Sequence, residues 1–148
     1  MRLAPARPRD AARLALILSD WIRETRWMPD LHTPEEDAYF LRRLIDTSEV
    51  ITLRNWRGPQ GFLARDGEVI HALYLRPAAR GRGHGTRLLD AAKARAPRLT
   101  LWAFQANDKA RAFYAREGFA EVETTDGSNN DEKLPDVRLV WQRDGMND

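Results

Sequence analysis

Arg80-Gly81-Arg82-Gly83-His84-Gly85-Thr86 separates two runs of different periodicity. Ahead of it, Val69 to Leu75 is apolar and rich in strand formers, and Arg76-Pro77 closes it. Behind it, Leu88, Leu89, Ala92 and Ala96 are spaced for one helical face. A glycine-rich turn that feeds a helix suits a phosphate group. Glycine lets the backbone approach an anion closely, and the first N–H groups of a helix have no partner within it. The helix dipole adds partial positive charge at the same place, and Arg80 and Arg82 add full charges. The stretch therefore predicts a site for a pyrophosphate-bearing cofactor.

Outward from the turn, the remaining elements follow from local signals. Leu3 to Ala6 predicts a short edge strand stopped by Pro8. Asp10 predicts the N-cap of a helix running through Ala12, Leu14, Leu16, Ile17 and Leu18 toward Trp21. Thr33-Pro34-Glu35-Glu36 combines a cap, a proline at the first helical position and acids in the first turn, so a second helix starts there. Its apolar side is read as Tyr39, Phe40, Leu44 and Ile45. Val50 to Trp56 and Gly61 to Arg65 read as a hairpin about Arg57-Gly58-Pro59, and Asp66-Gly67 is a further tight turn. Beyond the helix that Pro97 ends, Leu99 to Phe104 reads as a strand. Asn107 opens a helix that closes at Glu117-Gly118. Phe119 to Thr125 and Val137 to Gln142 are two closing strands around the polar loop Asp126 to Pro135, and Trp102 and Trp141 are read as core. The order is strand, two helices, three strands, helix, strand, helix, two strands. It is a mixed α/β arrangement in which the antiparallel meander precedes the crossover helices, unlike a regular Rossmann alternation.

The bulk properties bound the function. A chain of 148 residues, 43% hydrophobic and 31% charged, reads as one soluble domain over 1–148. The 24 basic side chains nearly balance the 22 acidic ones, and the arginines are scattered, which predicts no positive surface and no nucleic-acid partner. The absence of cysteine excludes disulfides, thiolate metal sites and a cysteine nucleophile, and no metal site is expected. No apolar run approaches the roughly 20 residues of a membrane span, and the Arg- and Pro-containing N-terminus does not read as a signal peptide. A cytoplasmic protein with no membrane partner is expected.

Two motifs carry a family resemblance. Arg80, Gly83 and Gly85 fit the pattern Arg or Gln, two residues, Gly, one residue, Gly or Ala. Downstream stand Asn107, Ala110, Phe113-Tyr114 and Gly118-Phe119. With these, and in element order over essentially the whole chain, the sequence resembles the GNAT superfamily of N-acetyltransferases. The resemblance implies a central mixed, mostly antiparallel sheet of about seven strands flanked by about four helices. It also likens Leu73 to Pro77 to a strand that ends in a splayed, prolyl bulge beside the thioester of acetyl-CoA.

The same resemblance implies roles for individual residues. The amides from Gly81 to Thr86, through Arg82, Gly83, His84 and Gly85, would cradle the coenzyme A pyrophosphate with Arg80 beside them. The backbone of Leu73 and Leu75 would pair with the pantetheine arm, which Asn107 would also bond. Asn107 and Tyr114 are seven residues apart, so two helical turns place them on one face with Ala110 and Arg111. Tyr114 would point at the sulfur, where a phenol can give the departing thiolate a proton. Strand alternation puts His71, Leu73 and Leu75 on one face and Ile70, Ala72 and Tyr74 on the other. His71 is a base for the acceptor amine or a half-buried structural histidine, with Glu24 and Glu68 as outside candidates. Trp27, Met28 and His32 would form one wall of the acceptor pocket, and Asp126 and Asp136 of the acidic loop the other. The function so implied is acetyl transfer by direct attack to a primary amine of a small metabolite or amino-acid-like acceptor. A protein N-terminus or lysine is the alternative acceptor, and a non-catalytic acyl-CoA-binding module the alternative class. A monomer or homodimer is expected.

Overall fold

A computed structural model describes residues 1–144; the last four residues of the expected 1–148 domain lie outside the described residues. The strands are β1 (Arg2–Pro5), β2 (Glu49–Asn55), β3 (Gly58–Asp66), β4 (Val69–Leu75), β5 (Arg98–Phe104), β6 (Ala120–Thr125) and β7 (Asp136–Gln142). The α-helices are α1 (Ala11–Glu24), α2 (Pro34–Thr47), α3 (His84–Arg95) and α4 (Asp108–Arg116), with 3-10 turns at Pro8–Asp10 and Pro77–Ala79. The strands form one sheet in the order β1-β2-β3-β4-β5-β7-β6. Every neighbouring pair is antiparallel except β4 and β5, which run parallel and share the single register pair Val69↔Thr100. This is the mixed, mostly antiparallel architecture expected from the sequence.

Two apolar clusters cover the sheet's faces. Leu88, Leu89 and Ala92 of α3 pack with Leu53, Leu63, Ile70, Leu99 and Leu101 on one side. Leu14 and Ile17 of α1 pack with Leu41 of α2 and Phe62 of β3 on the other. Burying one such side chain fully contributes roughly 1.5–3 kcal/mol, so these helices hold to the sheet by their apolar stripes. The α2 start forms a capping box: Glu36 N–H donates to Thr33 Oγ1 at 3.1 Å, and Thr33 N–H donates to Glu36 Oε1 at 3.0 Å.

Several readings are corrected by the fold. Asp10 is the N-cap residue of α1 as expected, but its side chain makes no capping bond; its carboxylate accepts from Arg7 N–H at 2.9 Å and from Arg54 at 3.0 and 3.1 Å. On α2 the buried stripe is Asp37, Leu41 and Leu44, while Tyr39 and Phe40 are 66% and 45% exposed. Asp37 can be buried because Ser19 Oγ donates to it at 2.8 Å, and with Leu41 and Leu44 filling the rest of the buried stripe the two aromatics fall on the outer side. Trp102 is 48% exposed, because alternation along β5 sends Leu99 and Leu101 into the core and Trp102 to the opposite face. Trp141 does pack against the core, with Lys93 Nζ 5.2 Å from its ring centroid.

Strand β4 departs from simple alternation. Ala64 pairs with Ala72 and Arg65 with Ile70, so His71 is the extra residue of a β-bulge. The bulge brings Ile70 onto the α3 face with Leu73 and Leu75, leaving Ala72 and Tyr74 on the α1 face. At the other end no prolyl bulge occurs. Pairing with β3 is regular to Gly61↔Leu75 and continues as Arg76 N–H donates to Gln60 O at 2.8 Å.

Candidate active site

Beyond Val69 and Thr100, β4 and β5 diverge and open a cleft of about 400 Å³. Its walls include His71, Leu73 and Leu75 of β4, Trp102 and Phe104 of β5, and Asn107, Phe113 and Tyr114 on the α4 side. Because Arg76 N–H points to β3, alternation turns the N–H and C=O groups of Leu75 and Leu73 to the open edge. Leu75 O is taken there by Arg80 Nε at 3.0 Å. Arg80 also forms an ion pair with Glu24 at the end of α1. The guanidinium read as a phosphate ligand is thus held between strand and helix at the mouth of the cleft.

The glycine turn ends the cleft. Arg80 N–H donates to Pro77 O, and the next backbone bond is Arg87 N–H to Gly83 O. The amides of residues 81–86 between them find no backbone acceptor among the described residues. Gly81 (φ +71°) and Gly83 (φ +81°) are left-handed, and a Cβ on either would meet nothing, so glycine serves backbone shape there. Gly85 serves space, since its Cβ would lie 3.3 Å from the Phe113 ring. Six amides at a helix start without a backbone partner, with open space over Gly81 and Gly83, fit a pyrophosphate. Thr86 contributes only its N–H, because its hydroxyl donates to Glu117 Oε2 at 3.0 Å. His84 Nδ1 is buried without a partner, and burial, then the Arg87 cation, holds its pKa below the usual imidazole value. Arg82 is exposed and off the cleft wall.

On α4, Asn107 Oδ1 accepts from Ala110 N–H at 3.1 Å and caps the helix. Its Nδ2 has no partner among the described residues, so the same side chain can cap and still present a donor to the cleft. Tyr114 is 7% exposed, its ring edge-on to Phe113 and Phe119. Burial, then the neighbouring Tyr74, pushes its phenol pKa far up, so it stays protonated. Arg111 is not brought to the cleft: it forks onto Glu121 at 2.8 Å and donates to Gln105 O. In its place Lys109, which the sequence reading passed over, lines the cleft.

A second cavity of about 530 Å³ adjoins the first, sharing Trp102, Ala103 and Phe104 with it. Glu123, Glu132 and Asp136 line it, with Thr125 and Asn130. Asp136 accepts from Thr125 Oγ1 and from Asn130 Nδ2. Glu123 is bound by Arg138 at 2.8 Å. Glu132 has no ion-pair partner among the described residues. Burial, with the Glu132 charge second, raises the Tyr74 phenol to about 12, which ties this loop electrostatically to the cleft. Trp27 packs against Phe104 (5.7 Å between centroids) and Trp21 (5.9 Å), and Trp21 against Tyr74 (5.3 Å), forming an aromatic wall. Trp21, Tyr74 and Phe104, which sequence reasoning passed over, line the first cleft, whereas Trp27 lines neither cavity and meets them only through its ring contacts. Met28 packs against the α1 core, and His32 is exposed with Nδ1 3.9 Å from Glu36. Asp126 turns back on Ser128 N–H at 2.9 Å, and Glu68 is exposed off both walls.

Residues 42–121, from α2 through the glycine turn to the start of β6, match the family described as Acetyltransferase (GNAT) domain. The chain belongs to the GNAT acetyltransferase family. Among similar GNAT proteins is the "Peptidyl-lysine N-acetyltransferase YjaB" of Salmonella typhimurium, 31% identical over 83 residues. That match covers 56% of this chain and 57% of YjaB, so the chain spans little more than half of that relative's length. "Peptidyl-lysine N-acetyltransferase YiaC" of Escherichia coli is 28% identical over 144 residues, covering 90% and 94% of the two chains. The solution structure of apo YjaB from Escherichia coli superposes with a TM-score of 0.78 at 24% identity, over 95% of this chain and 98% of that one, which shows the shared fold. Among the described residues no helix is long and apolar enough to cross a membrane, and no group of three or more metal-ligating side chains gathers.

Proposed function

We propose that this protein transfers an acetyl group from acetyl-CoA to a primary amine. One observation carries the reading. The glycine turn, whose amides at residues 81–86 have no backbone partner among the described residues and whose Gly81 and Gly85 line the cleft, stands at the end of a cleft whose one edge is the free backbone of β4 and whose facing wall presents Asn107 and Tyr114. The amides and Lys109 would hold the pyrophosphate, and the Leu73 peptide and Asn107 Nδ2 the pantetheine arm. When bound, acetyl-CoA supplies an activated acyl thioester. Proton handling belongs to the chain. His71, exposed beside the bulge on the cleft wall, takes a proton from the incoming ammonium at an imidazole nitrogen. Tyr114 Oη, kept protonated by burial, donates at the α4 wall. With no cysteine in the chain, the transfer is direct.

The acceptor enters from the second cavity, where Glu132 and Asp136 attract a cation and the Trp102 and Phe104 rings, shared with the first cleft, flank an aliphatic arm. YjaB and YiaC are named as peptidyl-lysine N-acetyltransferases, which supports a peptidyl lysine as that acceptor. A small free amine is the second reading, supported by a cavity of about 530 Å³, a volume that encloses a small molecule. Coenzyme A release measured with lysine peptides, amino acids and polyamines separates them. Turnover with peptides but not free amines supports the first, and the reverse supports the second. Acetyl-CoA binding without release on any acceptor sinks both.

A further inference from the structure

The β1 edge of the sheet gathers arginines that are far apart in sequence, so the scatter that predicted no positive surface folds into one. Arg2 of β1, Arg7 and Arg9 around the first 3-10 turn, and Arg54 of β2 enclose a concavity of about 230 Å³, completed by Ala4 and Pro5. Arg2 stands directly across from Arg54 in the β1–β2 register, an opposition of like charges that weakens a strand pair unless something offsets it. Arg54 is offset: Asp10, 4% exposed, forks onto it at 3.0 and 3.1 Å. No carboxylate pairs with Arg2, Arg7 or Arg9 among the described residues. Three guanidinium groups therefore border one small concavity, each with a rigid fork of donors matched to phosphate oxygens.

The basic strip continues from there. Arg13 follows Arg9 by four residues, and its Nη1 donates to Arg57 O in the β2–β3 turn. Arg57 lies over the Trp56 ring, 4.7 Å from the centroid. Trp56 is 86% exposed and two residues beyond Arg54. An indole so exposed, backed by a cation and next to an arginine-lined pocket, is a stacking platform beside a phosphate site.

We propose that this edge binds single-stranded nucleic acid, with phosphates at Arg2, Arg7 and Arg9 and a base stacked on Trp56. An acidic protein would use the arginines and leave Trp56 without a role, and a free phosphate would use the pocket alone. Neither accounts for the whole strip. The site lies three strands from β4, about 14 Å at the usual strand spacing, and is independent of acetyl transfer.

The test is fluorescence anisotropy of a labelled uridine oligonucleotide of about 12 residues, titrated with the full chain at several salt concentrations. Affinity should fall as salt rises, with a slope near 0.7 per neutralised phosphate. Arg2→Ala with Arg9→Ala should weaken binding at least about tenfold and flatten that slope by one to two phosphates. Trp56→Ala should weaken it about tenfold with the slope unchanged, and Trp56→Phe should recover part of the loss. All three positions are exposed, so melting temperatures and acetyl-transfer rates should stay at wild-type values. Wild-type affinity in the variants would falsify the proposal. So would displacement of the oligonucleotide by polyglutamate at equal charge, which marks an acidic-protein surface, or by pyrophosphate at equal molarity, which marks a small-anion pocket.

Discussion

Asn107, the N-cap of α4, and Tyr114, seven residues on within that helix, both line the cleft. Their jobs are separable by substitution. Asn107→Asp keeps the oxygen that caps α4 and removes the Nδ2 donor, so melting temperature should hold while the acetyl-CoA KM rises. Asn107→Ala should in addition cost about 1 kcal/mol of stability through the lost cap. Tyr114→Phe keeps the ring packed on Phe113 and Phe119 and should lower kcat on the order of 10²-fold with the acetyl-CoA KM unchanged. An unchanged kcat would remove Tyr114 from the chemistry.

The glycine turn makes a purely conformational prediction. A Cβ on Gly83 meets no atom, but its φ of +81° is left-handed. Gly83→Ala should therefore strain the backbone by about 1–2 kcal/mol and re-aim the amides beside it. Calorimetric titration with coenzyme A should show about a tenfold weaker Kd, with the overall fold intact by circular dichroism.

Asp10 and Arg54 tie stability to acidity. The Arg54 guanidinium, outweighing the effect of burial, holds the Asp10 carboxyl below its ordinary value of 3.8, which the unfolded chain regains. Stability from the pair is fully present above about pH 4 and is lost as pH falls through the lower folded value. Thermal melts from pH 5 down to pH 3 should drop more steeply for wild type than for Asp10→Asn. At pH 7, Asp10→Ala leaves Arg54 partly buried and unpaired and should cost about 3 kcal/mol.

Glu132 lines the cavity proposed for the acceptor and has no ion-pair partner among the described residues. Glu132→Gln should raise the KM of a cationic acceptor about tenfold, the scale of a lost charge-assisted hydrogen bond, and blunt its salt sensitivity. The acetyl-CoA KM should not move. Initial rates with each substrate varied in turn decide this.

Much of the fold was legible because its signals are local. Thr33-Pro34 with Glu36 marks the α2 start by backbone bonding alone, and Asn107 and Gly118 bracket α4 in the same way. What was not legible depends on partners distant in sequence. Nothing in Val69 to Leu75 shows that His71 is an extra residue, because a bulge is defined by the strand opposite. Tyr39 and Phe40 look like core until Ser19 lets Asp37 join Leu41 and Leu44 in the buried stripe of α2. Trp102 faces out because Leu99 and Leu101 claim the interior. Arg2, Arg7, Arg9 and Arg54 are scattered in the chain, and the β1–β2 pairing brings them together.

The lone Val69–Thr100 pair divides the sheet into a leaf of four strands and a leaf of three, stitched at one point and backed by α3, which contacts strands of both. A pantetheine arm lying along the free edge of β4 would supply the rungs that the seam lacks. Occupancy at a hundred times Kd would add about 2.7 kcal/mol to the folded state. The donor of the acetyl group would then also be a splint, and resistance to heat or protease should rise and fall with its concentration.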